Sequence, residues 1–166
     1  MRIMGIDPGY AIVGYGVVEY DGSRFGTVGY GAITTTSDMP FCDRLAAIYN
    51  DMTTLLKRYS PECISIERLY FNTNTTTAID VAQARGVILL AARQSGVKIY
   101  EYTPLQVKQS VTGYGKAEKR QVMEMVKNLL SLKAVPKPDD TADALAIAVC
   151  HGHCIGSLYA ALGKRE

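Results

Sequence analysis

Four carboxylates are the residues of this sequence whose types and spacing best suit chemistry. Asp7 and Glu67 each end a short apolar run, "RIMGI" and "CISI", of the kind that forms a buried strand. Asp140 and Asp143 lie three residues apart just before the apolar run "ALAIAV", so on a helix they share one face. Sites in open α/β sheets form outside the carboxyl ends of the strands. We therefore expect these four carboxylates to meet at one edge of a sheet.

Such a cluster of carboxylates needs a counter-charge. Two unit charges ~4 Å apart repel by roughly 1 kcal/mol in water and by ~4 kcal/mol at an effective dielectric constant of about 20. No matching cluster of Lys or Arg accompanies the acids along the sequence, although Glu67 could pair with Arg68 or Arg85. A divalent cation is therefore the expected partner, and all-oxygen ligands favour Mg²⁺ or Mn²⁺ over zinc. Two such ions held by acidic side chains form the catalytic centre of many nucleases.

Each acid also has a structural explanation of its own. Asp7 opens an Asp-Pro-Gly sequence that favours a turn. Asp140 suits the first turn of a helix, and the neighbouring Asp139 could be the helix cap. For Asp143 the structural explanation is weaker, because this residue lies past the cap among apolar neighbours, where charge is costly to bury. The four acids together favour a functional site more strongly than any one of them does.

The hydrophobic pattern predicts the elements that position these acids. The first third of the chain reads as three strands in an antiparallel meander, with a hairpin turn signal at Asp21-Gly22. Helices then alternate with two further strands, "ECISIE" and "VKIYEY", and three helices complete the chain. A long helix is expected over 74–95, and Thr103-Pro104 marks the start of the next one. This order, βββ-α-β-α-β-α-α-α, predicts an α/β fold with a mixed sheet and helices on both faces.

Length and composition narrow the class of protein. The chain has 166 residues, 48% of them hydrophobic and 20% charged, which suits one domain spanning residues 1–166. No apolar run nears the ~20 residues that a membrane span requires, and the first residues lead into a strand pattern rather than a signal peptide. We expect a cytoplasmic protein that does not contact a membrane, with its four cysteines reduced.

Positive charge is concentrated in one segment of the sequence. Residues 108–137 contain seven basic and two acidic side chains, a net charge of +5, so the rest of the chain carries −3 within the total of +2. Charge segregation of this kind suits a polyanion such as nucleic acid. Lys116, Lys119, Arg120 and Lys127, with Tyr114, could follow phosphates. On charge alone, a solvated helix face is the simpler explanation.

Five sequence blocks resemble one known family. They are "GIDPG", "IERLYF", "QARG", "QVKQSVTGYGKAEKRQV" and "DDTADALAIAVCH". In this order they are similar to the RuvC family of Holliday junction resolvases, and the resemblance runs from Met1 to about Ser157. It implies an RNase H-like fold with a five-stranded sheet in which three strands are antiparallel.

The resemblance also implies an activity. A homodimer would hydrolyse phosphodiesters in four-way DNA junctions with Mg²⁺, placing symmetric nicks in two opposing strands during homologous recombination and DNA repair. The products would carry 5′-phosphate and 3′-hydroxyl ends. The expected partners are four-way junction DNA and the branch-migration complex of RuvA and RuvB.

Individual residues take roles from the same resemblance. The catalytic quartet of metal-binding acids falls on Asp7, Glu67, Asp140 (rather than Asp139) and Asp143. Lys108 and Lys119 match the two lysines that flank the DNA groove, and we add Lys116 and Arg120 to the predicted DNA-binding residues. Tyr70 matches the aromatic just after the catalytic Glu, usually Phe, for which a role in holding open a junction base is expected.

The expected mechanism is in-line attack by water on the scissile phosphate. One ion would activate the water, and the other would stabilise the leaving 3′ oxygen. Asp7 would be a central metal ligand at a rigid strand end. Gly9 and the turn region around Gly14 and Gly16 are expected to let the phosphate backbone approach closely, because glycine has no side chain.

Two further patterns have competing explanations. Ala78, Ala82 and Gly86 recur every four residues on a predicted helix, which could pack on its own sheet or, as the resemblance implies, form a dimer interface. The motif "CHGHC" at 150–154 lacks the second pair of ligands of a closed zinc site, and its two cysteines also suit helix packing. Its His151 could approach the acid cluster.

Three other functions compete with junction cleavage. The segment "GIDPGYAIVGYG" also resembles the phosphate-binding hairpin of the actin and sugar-kinase superfamily, but that class needs two such domains and a Gly-rich adenosine loop, which this sequence does not show. A related RNase H-like nuclease acting on structured RNA usually lacks the "QVKQSVTGYGKAEKRQV" block. A non-catalytic junction-binding protein would not need an intact quartet of acids.

Overall fold

A mixed five-stranded sheet forms the centre of the computed structural model, which describes residues 1–69 and 77–162. Its strands are β1 (Arg2–Asp7), β2 (Ile12–Tyr20), β3 (Phe25–Thr34), β4 (Cys63–Glu67) and β5 (Lys98–Tyr102). They lie side by side in the order β3-β2-β1-β4-β5. The first three are antiparallel, whereas β4 is parallel to β1 and β5 is parallel to β4. The predicted α/β fold, a meander followed by parallel strands, is confirmed.

Helices in the described part of the chain follow the predicted order. They are α1 (Phe41–Tyr59), α2 (Ala78–Gln94), α3 (Pro104–Thr112), α4 (Lys119–Leu129) and α5 (Asp139–Leu162). At the predicted start of α3, the Thr103 side chain accepts a hydrogen bond from the Gln106 N–H at 3.1 Å. The predicted start of α2 at residue 74 lies outside the described residues. No helix among the described residues has the length and apolarity of a membrane span.

Each face of the sheet carries its own hydrophobic core. Helices α1 and α2 cover one face, where Met4, Ile64 and Ile88 are fully buried. Helix α5 crosses the other face, supported by α3 and α4, and its core includes Ile3 and Leu145. Ile3 and Met4 are adjacent in β1 yet belong to opposite cores, because side chains alternate along a strand. The same alternation places Asp7 on the α5 face.

Helix α5 packs closely on β1 and β2 because these strands present glycine to it. A Cβ atom added at Gly5 would lie 2.0 Å from the carbonyl oxygen of Ala144. One added at Gly14 would lie 2.0 Å from the carbonyl oxygen of Asp140. Larger residues at either position would force the helix away from the sheet. These contacts hold the acidic start of α5 beside the end of β1.

The expected role of Gly14 and Gly16 in admitting a phosphate backbone is wrong. Both residues lie inside β2 rather than in a turn. Gly14 contacts the α5 backbone, and a Cβ atom at Gly16 would lie 2.6 Å from the Leu145 side chain. Their missing side chains are therefore used for packing between helix and strand. Gly9 lies in the β1–β2 connection, where an added Cβ would be 2.2 Å from the carbonyl oxygen of Ile12.

Candidate active site

Asp7 and Glu67 are the last residues of two neighbouring parallel strands. Strands β1 and β4 are paired up to the residues just before Asp7 and Glu67, so the two acids lie on neighbouring strands at the same edge of the sheet. On the same face of β4, the Ser65 hydroxyl donates a hydrogen bond to the carbonyl oxygen of Ile147 in α5 at 3.2 Å. Strand alternation places Glu67 on this face too, so both acids point to the side that α5 covers.

The start of α5 contributes the other two acids, Asp140 and Asp143. The helix is fixed there by the close contact with Gly14 and by the Thr141 hydroxyl, which donates to the carbonyl oxygen of Gly31 in β3 at 3.2 Å. Asp143 lies one turn further along, among buried alanines, and its side chain keeps 31% exposure. The two acids are therefore held by the packing of a core helix rather than by a loop.

One cavity of about 280 Å³ joins three of the acids. Asp7, Glu67 and Asp143 line it, together with residues of α3 and α4: Pro104, Val107, Lys108, Lys119 and Val122. Asp140 does not line the cavity, but its charge acts on Asp7. The apolar wall of Val107 and Val122 was not predicted as part of the site, since helical spacing marks both residues only as core positions.

Asp7 has the most perturbed carboxyl group of the site. Burial raises its pKa from 3.8 to about 8, with further increases from the charges of Asp143, Glu67 and Asp140. Burial and the charge of Asp143 also raise the pKa of Glu67, which the charge of Lys108 opposes. The metal-free site therefore favours the protonated form of Asp7, whereas a bound cation would favour its carboxylate.

Two lysines that are distant from the acids in sequence lie beside them in the structure. Lys119 Nζ lies 2.9 Å from Asp143 Oδ2 and 3.8 Å from Asp139 Oδ2. Burial lowers the pKa of Lys119, but the hydrogen bond and charge of Asp143 outweigh it, so the pKa is raised. Lys108 lines the same cavity. No basic cluster accompanies the acids along the sequence, but α3 and α4 bring these two lysines, which are distant in sequence, against the start of α5.

The predicted alternative partners of Glu67 bind another acid. Arg68 Nε lies 3.3 Å from Glu101 Oε2, and the Arg85 guanidinium also pairs with Glu101. Arg85 reaches only the main chain of Glu67, donating from Nε to its carbonyl oxygen at 3.2 Å. The Glu67 carboxylate is left facing the cavity. Asp139 pairs most closely with Lys137, whose Nζ lies 2.5 Å from its Oδ1, and more distantly with Lys119 at 3.8 Å.

The remaining predicted residues lie in three different places. Lys116 and Arg120 are exposed, in the α3–α4 loop and in the first turn of α4. Tyr70 lies outside the described residues. His151 does not approach the acids: it is fully buried, with Nδ1 2.7 Å from the Tyr102 hydroxyl, and burial lowers its pKa to about 4.

The donor set suits a hard divalent cation. Every candidate ligand is a carboxylate, the ligand type that Mg²⁺ and Mn²⁺ prefer. When all four acids are ionised, they outnumber the two ammonium groups, so the site is net negative. Across residues 1–69 and 77–162, no three Asp, Glu, His or Cys side chains already stand as a finished metal-ligand set. The acids would therefore have to converge further on a cation, which mutual repulsion opposes until the cation is present.

Fold and site together define a class of protein. The sheet has a three-stranded meander and two parallel strands, with carboxylates at the ends of β1 and β4 and at the start of α5. This arrangement is typical of RNase H-like nucleases that use metal ions.

Comparison with known proteins then gives the family. The family model "RuvC: Crossover junction endodeoxyribonuclease RuvC" matches residues 3–151. A relative of that name from Ruminiclostridium cellulolyticum is 59% identical over 160 residues, covering 95% of this chain and 96% of its own. The solved structure of Thermus thermophilus RuvC matches with a TM-score of 0.86 and 36% identity, covering 98% of this chain and 97% of that one. A second solved structure, T. thermophilus RuvC in complex with Holliday junction substrate, matches with a TM-score of 0.85 and 34% identity over the same shares.

The chain belongs to the RuvC family of crossover junction endodeoxyribonucleases. The predicted RNase H-like fold and the predicted class of enzyme, an endonuclease that hydrolyses DNA, are confirmed. Members of this family are metal-dependent nucleases, in keeping with the carboxylate site.

Proposed function

We propose that this protein resolves four-way DNA junctions as a metal-dependent endonuclease, with residues 1–166 acting as a single nuclease domain. The observation that carries the proposal is the cavity in which the carboxylates of Asp7, Glu67 and Asp143 meet. Burial and the neighbouring carboxylates raise the pKa of Asp7 there to about 8. Perturbation of this size is typical of functional sites. The substrate is supported by the similar Thermus thermophilus RuvC, whose structure contains a Holliday junction substrate.

The metal site is proposed to consist of Asp7, Glu67, Asp140 and Asp143, holding two Mg²⁺ ions for which Mn²⁺ substitutes. When bound, such ions would supply Lewis-acid chemistry at the attacking water and at the leaving 3′ oxygen, which fits products with 5′-phosphate and 3′-hydroxyl ends. The protein's contribution is a fixed backbone for the ligands, because the acids are carried by strand ends and by a core helix, so only their side chains have to converge on the ions. Val107 and Val122 exclude water from one side of the cavity, which strengthens the electrostatic interactions inside it.

The basic residues are proposed to position the DNA. Lys108 and Lys119 line the acid cavity from α3 and α4, so they suit the phosphate being cut and its neighbour. Lys116 and Arg120 lie outside the cavity and suit phosphates further along the strand. Contacts of this kind provide affinity that weakens with salt and carry no base recognition. Tyr70, which lies outside the described residues, remains proposed as the aromatic that holds open a junction base.

A homodimer is proposed on the basis of helix α2. The helix packs on its own sheet through Ala84, Ile88 and two later alanines. Its outer side exposes Ile79 by 68% and Leu90 by 50%, and a Cβ atom added at Gly86 between them would meet nothing. An exposed apolar stripe with a small residue at its centre suits close approach of a second helix. Two copies would supply the two centres that symmetric nicks require, with RuvA and RuvB as further partners suggested by family resemblance.

The test compares substrates and two neighbouring acids. End-labelled four-way junction, linear duplex of the same sequence and structured RNA are incubated with wild type, with Asp140→Asn and with the matched control Asp139→Asn. We expect paired nicks in the junction only, in Mg²⁺ but not with chelator, from wild type and Asp139→Asn. Junction binding without nicking in Mg²⁺ or Mn²⁺ would identify a non-catalytic binder. Cleavage of RNA alone would identify a structured-RNA nuclease.

A further inference from the structure

The loop between α3 and α4 carries an exposed aromatic residue, and the start of α3 carries an exposed aliphatic one. Tyr114 is 59% exposed, and Leu105, in the first turn of α3, is 58% exposed. Large apolar side chains this accessible are informative when they are grouped. A Cβ atom added at Gly115 would lie 2.6 Å from Leu105 Cδ1, so the loop that carries Tyr114 lies against Leu105. We call Leu105 and Tyr114 the rim pair.

Leu105 neighbours residues of α3 that line the acid cavity, although neither member of the rim pair lines it. The first turns of α3 carry Leu105 and also contribute Pro104 and Lys108 to the cavity wall. Because Gly115 packs on Leu105, the loop folds back toward this end of α3. Helix α4 then begins at Lys119, which also lines the cavity. A DNA strand with a phosphate at the acids would therefore pass the rim pair.

Hydrogen bonds to its main chain hold Tyr114 in place. Its N–H donates to Thr112 Oγ1 at 3.2 Å, and its carbonyl oxygen accepts from the Ala117 N–H at 3.1 Å. Gly113 turns the chain at the end of α3 with a φ of +76°. The side chain thus projects from an ordered turn, so little further ordering is needed when a ligand binds.

Charge around the rim pair points to nucleic acid as the occupant. Residues 108–120 contain four basic side chains and a single acid, Glu118. An apolar patch among cations fits a ligand that has flat apolar faces next to phosphates, which describes an unstacked nucleotide. Intact duplex keeps its base faces covered, whereas the branch point of a four-way junction is where they become accessible.

We propose that Tyr114, supported by Leu105, stacks on a base exposed at the branch point and so positions the strand whose phosphate lies at the acid cavity. The proposal rests on the proposed junction-cleaving function and adds a positioning residue to it. It is separate from the expected role of Tyr70.

The experiment is a double-mutant cycle that combines substitution of Tyr114 with removal of single bases from the junction. Junction affinity is measured by fluorescence anisotropy in Ca²⁺ for wild type, Tyr114→Ala, Tyr114→Phe and the control Tyr30→Ala. Tyr30 is 43% exposed and lies on β3, at the opposite edge of the sheet. Each protein is tested on the intact junction and on junctions carrying one abasic site at successive positions around the branch point. Single-turnover nicking in Mg²⁺ and the oligomeric state are measured in parallel.

We expect Tyr114→Ala to weaken junction binding by about 5- to 150-fold, as loss of one base–aromatic stack predicts. Tyr114→Phe and Tyr30→Ala should bind like wild type, and one abasic position should abolish the difference between wild type and Tyr114→Ala. If wild type nicks the junction while Tyr114→Ala binds and nicks equally well, or no abasic position shows coupling, the inference fails and the proposed function stands. A changed oligomeric state with unchanged junction binding would assign the rim pair to self-association instead. If wild type neither binds nor nicks the junction, both fail.

Discussion

Replacing Asp7 by Asn should make the metal-free protein more stable while removing its activity. Asp7 is held in a cavity that disfavours its charge, so its pKa is raised from 3.8 to about 8. Between these values the unfolded chain ionises this carboxyl while the folded protein must keep it protonated. The contribution of Asp7 to stability is therefore favourable below about pH 4 and is lost as the pH rises to about 8. Asn carries no charge and does not suffer this loss.

The size of the effect follows from the same pKa values. The difference corresponds to about 6 kcal/mol at ~1.4 kcal/mol for each pH unit. Entry of water and movement of Lys119 toward Asp7 relieve part of it, so we expect a gain of roughly 1–3 kcal/mol at pH 8. At pH 5 the gain should be much smaller, because this pH is close to the pKa of the carboxyl in the unfolded chain. Ionisation then favours the unfolded chain only slightly.

The assay is urea denaturation in chelator at pH 5 and pH 8. Wild type, Asp7→Asn and the control Asp139→Asn are compared, since Asp139 lies at the surface and its pKa is lowered by the hydrogen bond from Lys137. Added Mg²⁺ should stabilise wild type and leave Asp7→Asn nearly unchanged. An Asp7→Asn protein that is no more stable than wild type at pH 8, or that gains equally at both pH values, would refute this reasoning.

Three further predictions concern packing, a buried histidine and the proposed dimer. Gly14→Ala should lower the free energy of unfolding by about 1–3 kcal/mol, because its Cβ would lie 2.0 Å from the Asp140 carbonyl oxygen, whereas Gly26→Ala, whose Cβ would meet nothing, should leave it nearly unchanged. Thermal denaturation checks both, and a harmless Gly14→Ala would contradict the close helix packing. Burial lowers the pKa of His151 from 6.5 to about 4, so its stabilising contribution is complete above pH 6.5 and is lost as the pH falls toward 4. As the pH falls from 6.5 to 4, urea denaturation should show a smaller loss of stability for His151→Gln than for wild type. Equal losses would contradict this role of His151. Leu90→Glu should dissociate the dimer in sedimentation equilibrium while Met125→Glu, at an exposed position on α4, should not; a dimer that survives Leu90→Glu would remove α2 from the interface.

Local signals in the sequence were sufficient for most of the fold. Helical spacing marked α1 and α4, the Thr103-Pro104 cap marked α3, and strand alternation marked the meander, because each of these depends on neighbours along the chain. Asp7 and Glu67 could be placed together because the ends of parallel strands share one edge of a sheet.

Contacts between distant segments were less accessible to sequence reasoning. The ion pair of Lys119 with Asp143 depends on how α4 lies against α5, which no local pattern determines. Gly14 and Gly16 were expected to serve the ligand because glycine permits close approach, but what approaches them is α5. Likewise, the choice of Glu101 over Glu67 by Arg85 follows from the position of α2 over the sheet. The type of each residue suggested that it makes such an interaction, but it could not identify the residue with which it interacts.

The most direct test of the account is the rate of junction cutting by Asp143→Asn against Asp139→Asn. Both acids contact Lys119 from the start of α5, but only Asp143 lines the acid cavity. Single-turnover nicking is measured in Mg²⁺ at protein concentrations that saturate the junction, as judged from binding in Ca²⁺. The account predicts that Asp143→Asn cuts at least about 100-fold more slowly while still binding, and that Asp139→Asn cuts like wild type. Cutting by Asp143→Asn at the wild-type rate would contradict the assignment of the acid cluster as the catalytic centre.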